Sequence, residues 1–274
     1  MRQTLENIYF AGIDIGSSTS KAVIIDDKSQ IINSAVFKTG IDMKTISTTV
    51  YEKALDGIKK EDVKYIVSTG YGRRIVPFAS KNITEITCTA RGAFEIFPVS
   101  STVVDIGGQD NKVINVGKEG AIQQFQLNRK CAAGTGAFLE EIAWKLDIEL
   151  SSMSELAKKG SLHKVLNSYC SVFAATEILE QIRQGESLEN MILGAYHSIT
   201  KRIFDMGYIS SPIIVSGGAI QYNQIIVEIL REKGYEVKIP PTPQILPAYG
   251  AALMAHDLYN KRQSIQSDLL INTS

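Results

Sequence analysis

The sequence has little of three features that would have pointed to common classes of protein. Cysteine occurs only three times in 274 residues, and an odd number this small is no disulfide framework. Net charge is zero, since 29 lysines and arginines balance 29 aspartates and glutamates, which argues against nucleic-acid and anionic-membrane partners. No apolar stretch approaches the ~20 residues that span a bilayer, and the polar N-terminus does not resemble a signal peptide. We therefore expect a cytoplasmic protein.

One local pattern occurs twice in the chain. The first copy runs from Gly12 to Ile25 and the second from Val103 to Ile114. In both, an apolar strand ends in Asp-Ile-Gly, a small polar turn follows, a lysine stands seven residues after the aspartate, and an apolar strand returns. We interpret each copy as a β-hairpin with its aspartate at the strand tip. Two ordinary hairpins with polar turns are the alternative interpretation.

The residue types in this pattern suit phosphate and a metal ion. Glycine and small polar residues let backbone N–H groups approach a phosphate closely. Mg²⁺ is usually held by one or two carboxylates together with waters and substrate phosphates, so Asp14 and Asp105 are the right ligands in type and number. We predict that both tips hold a triphosphate and its metal, with Asp14 on Mg²⁺ through water and Asp105 or Gln109 orienting the attacking water. The predicted phosphate-binding residues of the two hairpins are Gly16, Ser17, Ser18, Thr19, Lys21, Gly107 and Gly108.

The rest of the pattern predicts two α/β domains of the same build. In the first, strands at about 9–15, 21–26, 30–38, 63–68 and 85–88 alternate with helices at about 44–59, 73–80 and 90–97. After Pro98, strands at about 101–106, 111–116, 120–127, 213–216 and 237–239 combine with helices at about 134–146, 152–159, 171–184, 187–206 and 222–232. We expect domains at 1–98 and 99–247, a helix at 248–260 packing back near the hinge, and a tail at 261–274.

The order of these motifs resembles the actin, Hsp70 and sugar-kinase superfamily. The two hairpins are similar to its phosphate 1 and phosphate 2 motifs, and Ile214 to Ala219 is similar to its adenosine motif, which adds Gly217, Gly218 and Ala219 to the nucleotide-binding residues. The helices at Ala90–Phe97 and Tyr249–Met254 resemble its two connecting helices. The resemblance implies an α/β fold of two actin-like, or ribonuclease H-like, domains with a nucleotide cleft between them.

Two of the three cysteines stand just before predicted helices. Cys131 and Cys170 would each feel the positive end of a helix dipole, which favours a thiolate, and thiolates are ligands for soft metals. A [4Fe–4S] cluster normally takes four thiolates, and a two-fold symmetric dimer doubles the two that one chain offers. Buried, inert thiols are the alternative for this pair. Cys88, on a predicted apolar strand, is expected to be a core residue.

The segments around Cys131 and Cys170 resemble the activator component of 2-hydroxyacyl-CoA dehydratases, a family that includes the ATPase subunits of benzoyl-CoA reductase. Thr69–Arg73, Thr84–Cys88, Asp105–Lys112 and Asn128–Phe138 carry the resemblance in the same order, and the last adds Gly134 and Gly136 to the cofactor-binding residues. A small departure is Thr89, where many relatives have histidine. The resemblance implies an ATPase that binds ATP/ADP and Mg²⁺, a homodimer bridged by one [4Fe–4S] cluster on Cys131 and Cys170, ferredoxin or flavodoxin as electron donor, and a dehydratase as recipient.

Several alternatives stay open at this point. The recipient could be a dearomatising reductase or a double-cubane cluster reductase, and the acyl-CoA substrate is not specified. An amino-sugar or other metabolite kinase has the same fold, although the chain lacks a convincing sugar-binding run between its phosphate motifs. A filament or scaffold without iron is the third hypothesis. Arg73 and Arg74 are either solvated charges or contacts to a partner.

Overall fold

The computed structural model describes residues 8–128, 132, 134–161, 165–166 and 171–271. The chain divides into two compact units, one made of Met1–Phe97 with Ile245–Ser274 and the other of Pro98–Gln244. Each unit has its own five-stranded sheet. None of the helices in the described ranges is long and apolar enough to cross a membrane.

The first unit has a mixed sheet with helices on both faces. Its strands are β1 (Tyr9–Ile15), β2 (Thr19–Asp26), β3 (Ile31–Lys38), β4 (Val63–Thr69) and β5 (Lys81–Asn82), and its helices are α1 (Met43–Leu55), α2 (Glu85–Ile96) and α9 (Leu246–Ile271). The sheet order is β3-β2-β1-β4-β5. The first three strands are antiparallel neighbours, whereas β4 and β5 run parallel to β1 and β4 respectively.

Both faces of β1 are covered, which explains its unbroken run of apolar residues. Ile13 and Ile15 lie in a core with Val50 and other residues of α1. On the opposite face α9 lies directly on the strand at Gly12, where a Cβ atom would overlap the backbone of Ala248. The aspartate at the end of β1 is therefore positioned by a strand that is packed on both sides.

The second unit repeats this build. Its strands are β6 (Ser101–Ile106), β7 (Asn111–Val116), β8 (Ile122–Asn128), β9 (Ile213–Ser216) and β10 (Val237–Lys238). Its helices are α3 (Gly136–Lys145), α4 (Met153–Ala157), α5 (Ser171–Arg183), α6 (Leu188–Asp205), α7 (Gly218–Tyr222) and α8 (Ile225–Glu232). The sheet order is β8-β7-β6-β9-β10, and the strand directions match those of the first unit one for one.

The hairpin strands and most helices lie where the sequence predicts them, but two local predictions in the first unit are wrong. Residues 85–88 form the start of α2 and not a strand, because the Thr84 side chain caps the helix by accepting a hydrogen bond from the N–H of Thr87. The predicted helix at 73–80 is a single 3₁₀ turn at Arg73–Ile75, followed by the short strand β5. Cys88 is buried as expected, but it lies on α2.

Two further helix boundaries differ from the predictions. The helix expected at 222–232 begins later, as α8 at Ile225, and a separate short helix, α7, precedes it at Gly218–Tyr222. Asn223, between the two, donates a side-chain hydrogen bond to the carbonyl oxygen of Ala219. The chain after Lys261, expected to be a tail, continues α9 to Ile271. The Arg262 guanidinium lies 5.0 Å from the ring centroid of Tyr65, a cation–π contact that holds this extension on the first unit.

Candidate functional site

The first hairpin places a buried carboxylate beside a lysine. Asp14 is 1% exposed at the end of β1 and is paired in register with Lys21 on β2. The Lys21 Nζ donates to Asp14 Oδ2 over 3.0 Å. Within the described residues the other carboxylate oxygen, Asp14 Oδ1, is buried and has no hydrogen-bond partner. An unsatisfied buried carboxylate oxygen is costly, so its presence here fits a metal ion or a metal-bound water as partner.

The turn of this hairpin leaves backbone donors for an anion. The N–H of Gly16 donates to the carbonyl oxygen of Thr19 over 3.1 Å, which closes the turn. Ser17 and Ser18 are exposed at its tip, and in the described structure neither backbone N–H donates a hydrogen bond. A Cβ on Gly16 would lie 2.8 Å from the Thr19 carbonyl oxygen, so glycine is required there. Successive backbone N–H groups in a tight turn form a concave site for phosphate.

The second hairpin has the same geometry, but its lysine is more deeply buried. Lys112 is 1% exposed, and its Nζ lies 2.9 Å from Asp105 Oδ2 and 2.9 Å from Asp110 Oδ1. The N–H of Gly107 donates to the carbonyl oxygen of Asp110 over 2.9 Å. Asp105 is itself buried at the end of β6. Gly108 is half-buried and Gln109 exposed at the tip of this turn.

The two hairpins therefore share their aspartate–lysine pair and their turn-closing hydrogen bond. In each, the aspartate pairs with the lysine seven positions later, and the glycine two positions after the aspartate donates to the carbonyl three positions further on. The duplication inferred from residue offsets is thus a duplication of hydrogen bonds. The hairpins differ at one further position. Asp110 gives Lys112 a second carboxylate partner, whereas the equivalent residue of the first hairpin is Thr19, and the sequence analysis missed this difference.

A second equivalence, between Gly70 and Gly217, was also missed, although Gly217 itself is among the residues predicted to bind the nucleotide. Gly70 follows β4 with φ +86°, and Gly217 follows β9 with φ +100°. A Cβ on Gly70 would overlap Asp14 Oδ1 and the Ile15 backbone, and one on Gly217 would overlap the Ile106 backbone. Each glycine thus backs directly onto the tip of the aspartate-bearing strand. The sequence signal for this equivalence was the position of each glycine. Gly70 immediately follows β4, the parallel neighbour of β1, and Gly217 immediately follows β9, the parallel neighbour of β6.

Gly217, Gly218 and Ala219 form the turn from β9 into α7. The N–H of Gly217 donates to the carbonyl oxygen of Pro243 over 3.1 Å, and Ala219 is buried. Since β9 pairs with β6 from Thr102 to Asp105, this turn lies at the same sheet edge as the second hairpin's aspartate. The structure therefore brings the predicted adenosine-motif residues and the second hairpin together within one unit.

Gly134 and Gly136 lie against the turn of the second hairpin. The N–H of Gly136 donates to the carbonyl oxygen of Gly107 over 2.9 Å, and that of Ala137 donates to Gly108 over 2.8 Å. The Asn111 side-chain Nδ2 donates to the carbonyl oxygen of Gly134 over 2.7 Å. Sequence reasoning selected the two glycines but missed Asn111, which is completely buried.

The two candidate cluster ligands, Cys131 and Cys170, lie outside the described residues. The described chain resumes with α5 at Ser171, the residue after Cys170. Among the described residues no group of three or more His, Cys, Asp or Glu side chains could hold a metal ion. Cys88 differs in character, since burial raises the pKa of its thiol to about 12 and keeps it protonated at neutral pH.

Two sheets of identical topology, each with an aspartate–lysine hairpin closed by a glycine turn, define a nucleotide-phosphate-binding protein of the actin-like class. The model of the BadF/BadG/BcrA/BcrD ATPase family matches residues 11–255, and the chain belongs to that family of ATPases.

Individual relatives agree with this assignment over nearly the whole chain. The activator of lactoyl-CoA dehydratase from Anaerotignum propionicum is 37% identical over 260 residues, covering 93% of this chain and 100% of the relative. The crystal structure of component A of (R)-2-hydroxyglutaryl-CoA dehydratase from Acidaminococcus fermentans is 35% identical with a TM-score of 0.84, covering 91% and 98%. The activator of 2-hydroxyisocaproyl-CoA dehydratase from Clostridium difficile, solved with bound ADPNP, is 34% identical with a TM-score of 0.86, covering 94% and 97%.

Proposed function

We propose that this protein is an ATP-dependent one-electron activator of a 2-hydroxyacyl-CoA dehydratase. The observation that carries the proposal is full-length similarity to three proteins whose names all refer to dehydratases of this class, combined with two intact phosphate hairpins. The substrates of these dehydratases differ in the acyl group but share the 2-hydroxyacyl-CoA part. We therefore propose the class of dehydratase for this chain and not an individual substrate.

Each hairpin has its own task in binding the nucleotide. The turn donors at Ser17 and Ser18 and at Gly108 bind phosphate oxygens, which needs no side-chain rearrangement because these donors are backbone N–H groups. Asp14 Oδ1, buried and without a protein partner in the described structure, receives Mg²⁺ or its water. Asp105 or Gln109 orients the attacking water. The turn at Gly217, Gly218 and Ala219 lies against the adenosine.

The redox centre is assigned to Cys131 and Cys170. Two cysteines per chain give four thiolates in a homodimer, the number that a [4Fe–4S] cluster takes. The described part of α5 starts at Ser171, next to Cys170 in the sequence, and the positive end of a helix dipole would favour a thiolate at that position. When bound, such a cluster takes one electron from ferredoxin or flavodoxin and passes it to the dehydratase.

Iron content and ATP-dependent activation test the proposal together. Protein purified without oxygen is expected to be brown, with about two iron atoms per chain. It should activate a 2-hydroxyacyl-CoA dehydratase only with ATP, Mg²⁺ and a strong one-electron donor. Cys131→Ser and Cys170→Ser should each lose iron and activation but keep ATP binding, whereas Cys88→Ala should keep all three.

Other outcomes would redirect the assignment. A colourless dimer that stays free of iron after anaerobic reconstitution would count against the redox role. Iron-containing protein that activates a benzoyl-CoA or double-cubane reductase but no dehydratase would change the recipient. ATP turnover stimulated by an amino sugar, without iron, would favour a metabolite kinase.

A further inference from the structure

We propose that Asn111 is a positioning residue that couples the turn of the second hairpin to the chain segment after Cys131. Binding of a phosphate at this turn would then be transmitted directly to that segment. The inference rests on the proposed function, in which residues 107–110 contact ATP.

Three hydrogen bonds join the turn to the start of α3. Two run from the backbone N–H groups of Gly136 and Ala137 to the carbonyl oxygens of Gly107 and Gly108, over 2.9 and 2.8 Å. The third runs from Asn111 Nδ2 to the carbonyl oxygen of Gly134 over 2.7 Å. The hydrogen-bonded residues 134–137 follow Cys131 by three to six positions.

The covalent geometry of the turn makes these bonds sensitive to an anion. A peptide group is a rigid plane with its C=O and N–H pointing to opposite sides. The Gly107 carbonyl therefore shares a plane with the N–H of Gly108, and the Gly108 carbonyl shares one with the N–H of Gln109. In the described part of the chain neither N–H donates a hydrogen bond. When these N–H groups turn toward a phosphate, the carbonyls that hold α3 must turn with them.

Asn111 holds the segment so that it follows this rotation. Its side chain is completely buried, and its Oδ1 atom has no hydrogen-bond partner among the described residues. A buried amide with one end unsatisfied is not explained by stability alone. The bond from its Nδ2 atom fixes Gly134, whose φ of +85° sets the direction in which the chain enters α3.

The first hairpin shows that the fold does not require this attachment. The residue equivalent to Asn111 is Ser20, whose Oγ lies 2.9 Å from Thr39 Oγ1. Thr39 Oγ1 in turn donates to the carbonyl oxygen of Gly16 over 2.8 Å, the equivalent of the Gly107 carbonyl. The first turn is thus tied to the chain just after β3 of its own sheet, whereas the second is tied to the segment after Cys131. The two hairpins therefore differ in an attachment that would link a bound nucleotide to the segment after Cys131.

Hydrogen exchange measured by mass spectrometry on the full-length protein tests the inference. Exchange would be compared with and without Mg²⁺ and ADPNP for wild type, Asn111→Ser and Asn111→Asp. Serine is the residue at the equivalent position of the first hairpin, and aspartate keeps the shape but removes the Nδ2 donor. Asn115→Ser is the matched control, because Asn115 is on the same strand and accepts from Thr102 Oγ1 over 3.0 Å at the far end from the turn.

In wild type and Asn115→Ser, the analogue should slow exchange both at residues 107–110 and at residues 134–139. In the two Asn111 variants the protection at the turn should remain and that at 134–139 should be lost. Equal protection of residues 134–139 in the variants and wild type would overturn the inference. Loss of protection at residues 107–110 in the Asn111 variants would also overturn it, because Asn111 would then be needed for binding the nucleotide itself. No protection at either hairpin in wild type would instead indicate failure of the proposed ATP binding.

Discussion

Replacing Lys112 by methionine should destabilise the second unit strongly. Methionine keeps most of the side-chain volume but removes an ammonium group that is 1% exposed and bonds two carboxylates at 2.9 Å each. Asp105, whose side chain is 3% exposed, would then keep its charge without this partner. Removing one partner of a buried ion pair typically costs 3–5 kcal/mol, so Lys112→Met should lower the free energy of unfolding by about that amount.

The first hairpin supplies the matched comparison. Lys21 is 12% exposed and bonds one carboxylate at 3.0 Å, so water can reach the space that the ammonium leaves. Lys21→Met should therefore cost less than Lys112→Met by at least about 1 kcal/mol. Adding Asp105→Asn to Lys112→Met should recover part of the loss, because it removes the buried charge that has lost its ion pair with Lys112.

Urea unfolding of the nucleotide-free protein, followed by circular dichroism, gives the total effect. Hydrogen exchange assigns it to one unit, which is necessary because two units can unfold separately. Equal losses in Lys21→Met and Lys112→Met would refute the argument from burial. A double variant no more stable than Lys112→Met alone would refute the argument that the lost ion pair leaves a costly buried charge on Asp105.

Three further substitutions test other features. Gly217→Ala should cost at least about 2 kcal/mol more than Gly234→Ala in urea unfolding, since both have positive φ but only Gly217 abuts backbone; equal costs would contradict the close approach. Burial raises the pKa of the Cys88 thiol from 9.0 to about 12, so the unfolded chain loses this proton first and stability falls above pH 9. Between pH 10 and 11, Cys88→Ala should flatten that fall by about 1.3 kcal/mol per pH unit, and unchanged slopes in that interval would exclude the shift. Thr84→Ala should lower the free energy of unfolding by about 1 kcal/mol in urea, because the cap of α2 is lost. An unchanged free energy of unfolding would contradict the cap at Thr84.

The strand wrongly predicted at residues 85–88 shows how tertiary packing can override a local preference. Residues 85–88, Glu-Ile-Thr-Cys, have β-branched side chains that favour a strand, yet they form the first turn of α2. The Thr84 cap and close packing against α9 decide the outcome, since a Cβ on Gly250 would overlap the Cys88 carbonyl oxygen. Local propensity was overridden by a contact between residues far apart in the chain.

The duplicated hairpins are what the sequence by itself determined. Offsets of two, five and seven residues from an aspartate fix which backbone and side-chain groups can meet across a short antiparallel hairpin, because its register depends on the turn alone. The equivalence of Gly70 with Gly217 and the different attachments of Ser20 and Asn111 were decided only by the tertiary structure. Those contacts depend on parallel strand pairing and helix placement over tens to more than a hundred residues, which no local spacing encodes.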